Sequence, residues 1–418
     1  MKPFLMFSSD DHAGATRPVY RQFMERRYHD DYDRWVAPRA AAYAAMVKAA
    51  KEAQGTVKKQ HAEEVESDEA QIFGTELDKR LERLEREGLV GEVLYPGPAA
   101  GPRFDEWGVP FSGMFGEAEP DVPSDLHAVG HLAHNRWQAE TSPDLGRQVG
   151  LALISQHDVA AAVAEIHRSA KAGLRGVLME GVHPTLPPLD DPCYAPIWSA
   201  CEAMDMAVHF HAGVATPALR RITGAGSNGK PAGMSLIGGM ESQWLSHRPL
   251  WFLILGGVCE RHPKLRIVFA ELGGKWAPEA MAQFRWYWQL GKPTPHEPMH
   301  YYDRQVFFGA SAFAREDVES RYLVGVDKLM WGGDHPHGMG AWGCTNAWLR
   351  ATLGAGKVPE PEARAMLGET VVAFYGLDAA RLRAIAERVG PTPDDVLRPP
   401  EPADLENPAL LRNIEFTH

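Results

Sequence analysis

The chain has 418 residues, of which 44% are hydrophobic and 23% are charged, and its formal net charge is −12. These fractions are typical of folded proteins, and the acidic balance without a Lys/Arg cluster argues against nucleic-acid and anionic-membrane binding. The four cysteines form no CxxC pair and the apolar start of the chain is too short for a signal peptide, so we expect a cytoplasmic protein without a disulfide framework.

Eight short apolar segments recur along the chain and are predicted to be strands. They cover residues 4–10, 90–96, 148–155, 175–180, 206–211, 266–271, 305–311 and 328–334. Helical patterns lie between most of them, and the clearest begins at the N-cap candidate Asp158. Strand and helix alternating in this way predict a parallel (β/α)8 barrel, or TIM barrel, although a doubly wound sheet needs a similar number of elements.

Three segments lie outside this alternation. Residues 37–88 and 97–145 are predicted to be largely helical insertions after the first two strands. Near the C-terminus, two helical patterns are followed by a Pro-rich stretch and predict a helical appendage. We assign residues 1–390 to one barrel domain and residues 391–418 to a C-terminal tail.

Charged and imidazole side chains stand where the predicted strands end. These residues are Asp10, Asp11, His12, Glu180, His211, Glu271 and Asp334. In a TIM barrel the C-terminal ends of the strands form the face that carries the active site. We therefore expect these side chains to meet in one pocket.

Strand periodicity narrows the choice of metal ligands. Side chains alternate between the two faces of a strand, so Asp10 and His12 share a face. His209 and His211 also share a face, and we favour His211 because it lies nearer the end of its strand. With Asp334 these residues form a mixed N/O set that suits one divalent transition metal ion, zinc in the first place and manganese or iron as alternatives. Taken singly, each residue could instead be structural.

Further polar and aromatic residues are candidates for chemistry or for substrate contact. Glu271 could be a metal ligand or an acid/base group, or it could form a structural ion pair with Lys275. The candidates for substrate binding are Arg17, Glu180, His183, Trp276 and His337. The aromatic residues 286–288 also suggest a planar ligand, but their position on a predicted helix favours packing. The chain contains neither GxSxG nor HExxH, so serine-hydrolase and zincin mechanisms have no support.

The chain resembles the amidohydrolase superfamily, in the branch that includes aminocarboxymuconate-semialdehyde decarboxylase and γ-resorcylate decarboxylase. The similar segments are 8–12 (SSDDH), 134–137 (HNRW), 174–213, 256–278 and 331–337 (WGGDHPH). The resemblance implies that Asp10 and His12 replace the family's first-strand HxH pair. It implies that His211 and Asp334 are the ligands on strands five and eight. Glu271 falls where these decarboxylases have a catalytic histidine. A homodimer is also implied.

Three functions are compatible with these residues. We rank first a metal-dependent hydrolase that cleaves an amide or lactone, a C–N or C–O bond, in a small and preferably aromatic substrate by metal-activated water. Its catalytic candidates are Asp334, Glu271 and His211. The alternative is a non-oxidative decarboxylase of an aromatic or unsaturated carboxylic acid, which needs a proton donor, a role that Glu271 fills only with a raised pKa. The third is a non-catalytic barrel with a binding role, against which the complete ligand set argues.

Overall fold

The protein's structure, a computed structural model, contains an eight-stranded parallel barrel and confirms the TIM-barrel prediction. It describes residues 2–39, 76–97, 108–113, 116, 118–119, 121–213, 240–241, 243–337 and 340–406. The strands follow chain order around the sheet as β1 Met6–Ala13, β2 Leu89–Pro96, β3 Gln148–Leu153, β4 Gly176–Leu178, β5 Ala207–His211, β6 Ile267–Ala270, β7 Val306–Ser311 and β8 Leu329–Gly332. Each predicted strand overlaps one of these.

Helices surround the barrel. They are Arg17–Gln22, residues 29–39, Leu77–Arg86, Ser124–Thr141, Val159–Lys171, Ala195–Ala203, residues 243–247, Pro249–Ile254, Val258–Arg261, Ala277–Gly291, Pro298–Gln305, Arg315–Val324, Thr345–Leu349, Glu360–Arg364, Thr370–Phe374, Ala379–Val389, Pro393–Leu397 and Pro402–Leu405. The Asp158 side chain accepts a hydrogen bond from the Ala161 amide at 2.9 Å, as an N-cap does. Of the described helices, none is long and apolar enough to span a bilayer.

Both predicted insertions end in a helix that packs on the next strand. Helix Leu77–Arg86 packs on β2, and helix Ser124–Thr141 packs on β3. The Ala-rich and acidic part of the first insertion lies outside the described residues. At the other end of the chain, the Phe4 amide donates to the Pro391 carbonyl at 2.8 Å. The start of the predicted tail therefore contacts the start of the barrel.

Two apolar layers hold the barrel, as the alternation of side chains along β6 illustrates. Ile267 and Phe269 belong to a cluster with residues of the surrounding helices. Val268 and Ala270 belong to a second cluster that contains residues of the other strands. Because neighbouring side chains of a strand point to opposite faces, one layer lies outside the barrel wall and the other inside it.

The barrel closes where β1 meets the segment after β8. The Asp334 amide donates to the Asp10 carbonyl at 2.8 Å, and the His12 amide donates to the His335 carbonyl at 2.6 Å. A Cβ atom at Gly332 would lie 2.8 Å from the Asp10 Cβ, so glycine permits this approach. The seam thus brings two strand ends together that are more than 300 residues apart in the chain.

Candidate metal centre

Five of the side chains singled out in the sequence come together at the C-terminal ends of the strands. Ligand atoms of Asp10, His12 and His211 lie within 4.8 Å of one another. Those of His12, Asp334 and His337 form a second such group. The shared His12 joins the groups into one cluster, which we call the ligand cluster. His337, expected to contact substrate, is therefore also placed among the candidate ligands.

Asp10 lies at the centre of the ligand cluster. Its Oδ1 is 3.9 Å from His12 Nε2 and 3.4 Å from His211 Nε2. Its Oδ2 accepts a hydrogen bond from the Ser311 hydroxyl at the end of β7. No described residue gives Oδ1, which is buried, a hydrogen bond of ordinary geometry. A buried carboxylate oxygen in this position fits a bound cation, which would offset its lost hydration.

The ring orientations of both histidines also fit a metal ion. His12 Nδ1 is 3.2 Å from the Pro96 carbonyl, and His211 Nδ1 is 2.7 Å from the Ala212 carbonyl. When each Nδ1 carries the proton and donates it to its carbonyl, each Nε2 presents a lone pair to the cluster. A backbone carbonyl on the outer ring nitrogen is a common support of metal-binding histidines. These residues could hold a divalent metal ion.

The charges within the cluster shift the histidine pKa values in opposite directions. Burial and the nearby His337 lower the pKa of His12 to about 4. Burial also acts to lower the pKa of His211, but Asp10 and Glu271 outweigh it and raise this pKa to about 9. A cation beside Asp10 would take the place of the proton on His211, and His211 would then be the neutral imidazole that a metal ligand must be.

Asp334 and Glu271 have the same unusual backbone conformation, but their surroundings shift their pKa values in opposite directions. Their φ angles are +56° and +54°, a region that non-glycine residues seldom occupy outside functional sites. His337 Nδ1 lies 2.7 Å from Asp334 Oδ1. Although burial raises the pKa of Asp334, His337 and His12 hold it well below the usual range. Asp334 is therefore a carboxylate.

Glu271 occupies the open side of the cluster. Its side chain is 31% exposed, against 1% for His211, whose Nδ1 lies 3.5 Å from Glu271 Oε2. Burial and the neighbouring Asp334 and Asp10 raise the pKa of Glu271 to about 8. This is the direction of shift that the decarboxylase alternative requires of Glu271. The charge of Lys275, the alternative partner, acts on Asp317.

Two other substrate-binding candidates lie in the loop after β4. Glu180 Oε1 accepts a hydrogen bond from the Ala118 amide at 2.6 Å. His183 Nδ1 accepts one from the Thr185 amide at 3.2 Å, and its ring lies 5.0 Å from that of His157. Among the described residues, neither belongs to a group of metal-ligating geometry. They stand in the loops around the site.

The aromatic candidates lie at the start of helix Ala277–Gly291 and along it. Trp276 stacks on His247 at 3.9 Å and packs edge-on against Phe269, which lies in the outer layer. Trp276 therefore packs, partly buried, on the outer side of β6, and its contact with substrate stays a prediction. Trp286 and Tyr287 are 57% and 58% exposed, so the packing role expected for residues 286–288 is wrong for these two. They lie on the outer face of helix Ala277–Gly291.

Arg17, the remaining candidate, begins the first helix after β1. Its side chain is buried, and its guanidinium carbon lies 5.8 Å from the centre of the Trp35 ring. His209 is also accounted for, since its ring nitrogens contact the hydroxyls of Tyr95 at 2.6 Å and Tyr375 at 3.0 Å. The preference for His211 over His209 agrees with this geometry.

Sequence reasoning missed Ser311. Ser311 is the last residue of β7, and the strand-end pattern of charged and imidazole residues does not extend to this strand. Its hydroxyl fixes one oxygen of Asp10 and leaves the other facing the two histidines. The signal was the polar residue at the end of an otherwise apolar strand.

Known proteins share this fold. The sequence model of a family described as Amidohydrolase matches residues 87–377. 5-Carboxyvanillate decarboxylase from Sphingomonas paucimobilis has a TM-score of 0.60 and 17% identity, over 90% of this chain and 100% of that chain. An amidohydrolase from Mycobacterium avium subsp. paratuberculosis K-10 has a TM-score of 0.65 and 16% identity, over 90% and 99%. Dihydroxybenzoic acid decarboxylase from Polaromonas sp. JS666, solved with manganese and 2-nitroresorcinol, has a TM-score of 0.60 and 15% identity, over 91% and 99%. At these identities the structural likeness concerns the fold alone.

Proposed function

The chain belongs to the amidohydrolase family, and on that premise we propose that it is a metal-dependent decarboxylase of aromatic carboxylic acids. The observation that carries the proposal is the position of Glu271, a partly exposed acid beside a buried ligand cluster. A group so placed can reach a substrate carbon while the cluster holds the ion. Two of the similar structures are decarboxylases of aromatic acids, which supports this reaction over hydrolysis.

Four residues would hold the ion. They are Asp10, His12, His211 and Asp334, and we assign His337, the fifth residue of the two overlapping ligand groups, to the substrate instead. Their donor set accepts manganese, zinc or divalent iron, and manganese is favoured because the Polaromonas decarboxylase was solved with it. When bound, the ion would supply positive charge for a carboxylate or phenolate oxygen of the substrate.

Glu271 is the proposed proton donor. Decarboxylation without an oxidant exchanges a carboxylate for a proton at one carbon. The carbon accepts the proton from Glu271, and the bond to the carboxylate then breaks, so that its electron pair stays with the ring and CO₂ leaves. Burial and two neighbouring carboxylates keep Glu271 suited to this step. Burial lowers the pKa of His337, but Asp334, 2.7 Å away, outweighs it and raises this pKa to about 9, so His337 offers a positive charge to an anionic substrate.

The test is product analysis with metal-loaded protein. Hydroxylated benzoic acids are incubated with the wild type in D₂O, and CO₂ and the decarboxylated arene are measured. We expect CO₂ release and one deuterium at the carbon that carried the carboxylate. An absence of CO₂ from every acid, with the metal bound, would argue against the proposal. The double variant Asp10→Ala/His12→Ala serves as the metal-free control.

Hydrolysis of an amide or lactone is the second candidate. The observation in its favour is the Asp334–His337 pair, because an imidazole hydrogen-bonded to a carboxylate beside the ligand cluster can take up and return the proton that hydrolysis moves. The products distinguish the two reactions. An amine, an alcohol or an opened lactone without CO₂ would favour hydrolysis.

We also propose that the chain forms a homodimer, as the superfamily resemblance implies. Exposed apolar side chains on helix Ala277–Gly291 and on helix Arg315–Val324 support this proposal, since large exposed apolar patches commonly mark interfaces. They include Trp286, Tyr287, Leu290, Tyr322 and Leu323. Light scattering after size-exclusion chromatography measures the mass, and a monomer at micromolar concentration would contradict the proposal.

A further inference from the structure

A fully buried arginine, Arg80, lies behind the ligand cluster in helix Leu77–Arg86. Its Nε donates to both carboxylate oxygens of Glu92 on β2, at 2.8 and 2.7 Å. Both side chains are 0% exposed. Arg80 shares the buried face of its helix with Leu77 and Leu84, so a guanidinium stands where the helical pattern would place an apolar residue.

The rest of the guanidinium reaches the seam of the barrel. Arg80 Nη1 donates to the His12 carbonyl at 2.8 Å. Nη2 lies 3.5 Å from the His335 carbonyl, which also accepts from the His12 amide at 2.6 Å. His335 directly follows Asp334 in the chain. The Arg80 side chain therefore contacts the backbone of His12, a candidate ligand, and of His335, the neighbour of the candidate ligand Asp334.

Two more buried side chains complete this arrangement. Asp11, which points away from the ligand cluster, accepts from the His335 amide at 2.7 Å. Gln148 Nε2 donates to Glu92 Oε1 at 3.1 Å. Replacement of a buried ion pair by apolar side chains is often neutral for stability, since burying the charges costs about as much as their attraction returns. Stability alone therefore gives little reason for a guanidinium in this place.

We propose that Arg80 is a positioning residue that sets how the His12 and Asp334 side chains face each other, and that it thereby determines the metal affinity of the cluster. His12 Nε2 and Asp334 Oδ1 lie 3.5 Å apart across the seam. The backbone of β1 and the segment after β8 are joined there by a few hydrogen bonds. Arg80 contacts two of the carbonyls at this seam, those of His12 and His335. The inference rests on the proposed function in that it takes this cluster to bind a metal ion.

A second ion pair, which is largely but not fully buried, provides a control of the same chemistry. Arg350 Nε donates to Asp404 Oδ2 at 2.7 Å, and its Nη1 donates to the Asp395 carbonyl at 2.6 Å. The side chains are 12% and 11% exposed. The chemistry is that of the Arg80 pair, namely one guanidinium, one carboxylate and a backbone carbonyl. This pair links helices after β8 and contacts no member of the ligand cluster in the hydrogen bonds and ion pairs of the described residues.

The experiment compares two variants at each pair. Arg80→Lys keeps the charge and loses the planar fork. Arg80→Met/Glu92→Leu removes both charges of the ion pair and leaves Asp11 with its hydrogen bond from the His335 amide. Arg350→Lys and Arg350→Met/Asp404→Leu are the controls. Measured quantities are the dissociation constant for Mn²⁺ by calorimetry, the visible spectrum of the Co²⁺-loaded protein, and the thermal midpoint without metal.

We expect both Arg80 variants to bind Mn²⁺ about 10- to 100-fold more weakly, as changes behind metal ligands commonly do. The Co²⁺ spectrum should change with them, because it reports ligand geometry. The Arg350 variants should leave affinity and spectrum unchanged. Unchanged Mn²⁺ affinity in the Arg80 variants, or equal weakening by the Arg350 variants, would overturn this inference and leave the proposed function standing. A wild type that binds no divalent metal would overturn both.

Discussion

Replacing Glu271 with glutamine separates its two candidate roles. Gln has the same shape, and the side chain is 31% exposed, so the change should leave packing intact. Loss of a general acid lowers turnover by about 10²- to 10⁴-fold, or about 3 to 5 kcal/mol of transition-state stabilisation. The bound metal should remain at wild-type stoichiometry, because neither group of candidate ligands among the described residues includes Glu271. The thermal midpoint should stay level or rise, since a carboxyl crowded by Asp334 and Asp10 is removed.

The assay measures CO₂ release, elemental metal content and the thermal midpoint on the same preparations. Glu279→Gln, which changes an exposed carboxylate at the start of the next helix, is the matched control and should leave all three unchanged. Turnover of Glu271→Gln within threefold of wild type would refute the acid role. Loss of the metal would instead make Glu271 a ligand.

Two further predictions concern the ligand cluster, and a third concerns a helix outside it. Ser311→Ala removes the hydroxyl that orients Asp10 and should weaken metal binding about 10-fold, which calorimetry measures. His211→Ala and Asp334→Ala should each lower metal content and activity together, and full metal content in both would refute the ligand assignment. Asp158→Ala removes a helix N-cap and should cost about 1 kcal/mol of unfolding free energy in urea denaturation without changing the metal content.

Features of the site that depend on the side-chain pattern of a single strand were predictable from sequence. Alternation along β1 placed Asp10 and His12 on one face, and the apolar runs ended where the structure places the ligand cluster. Partners from distant segments were not predictable. Ser311 meets Asp10 across 301 positions of sequence, and Arg80 meets the His12 carbonyl across 68. Trp276 shows the same limit, because no periodicity says which layer of the barrel an aromatic residue after a strand joins.

Asp334 and Glu271 show how one fold gives two similar acids different surroundings. Each follows a strand of the barrel at a positive φ. Asp334 is enclosed by two histidines, which keep it ionised and suited to bind a cation. Glu271 is crowded by carboxylates and opens toward solvent, which suits it to carry a proton to a substrate. Carboxyl groups whose surroundings drive their pKa values apart commonly divide acid and base roles in this way. The neighbours of each acid, rather than its residue type, therefore carry the functional assignment.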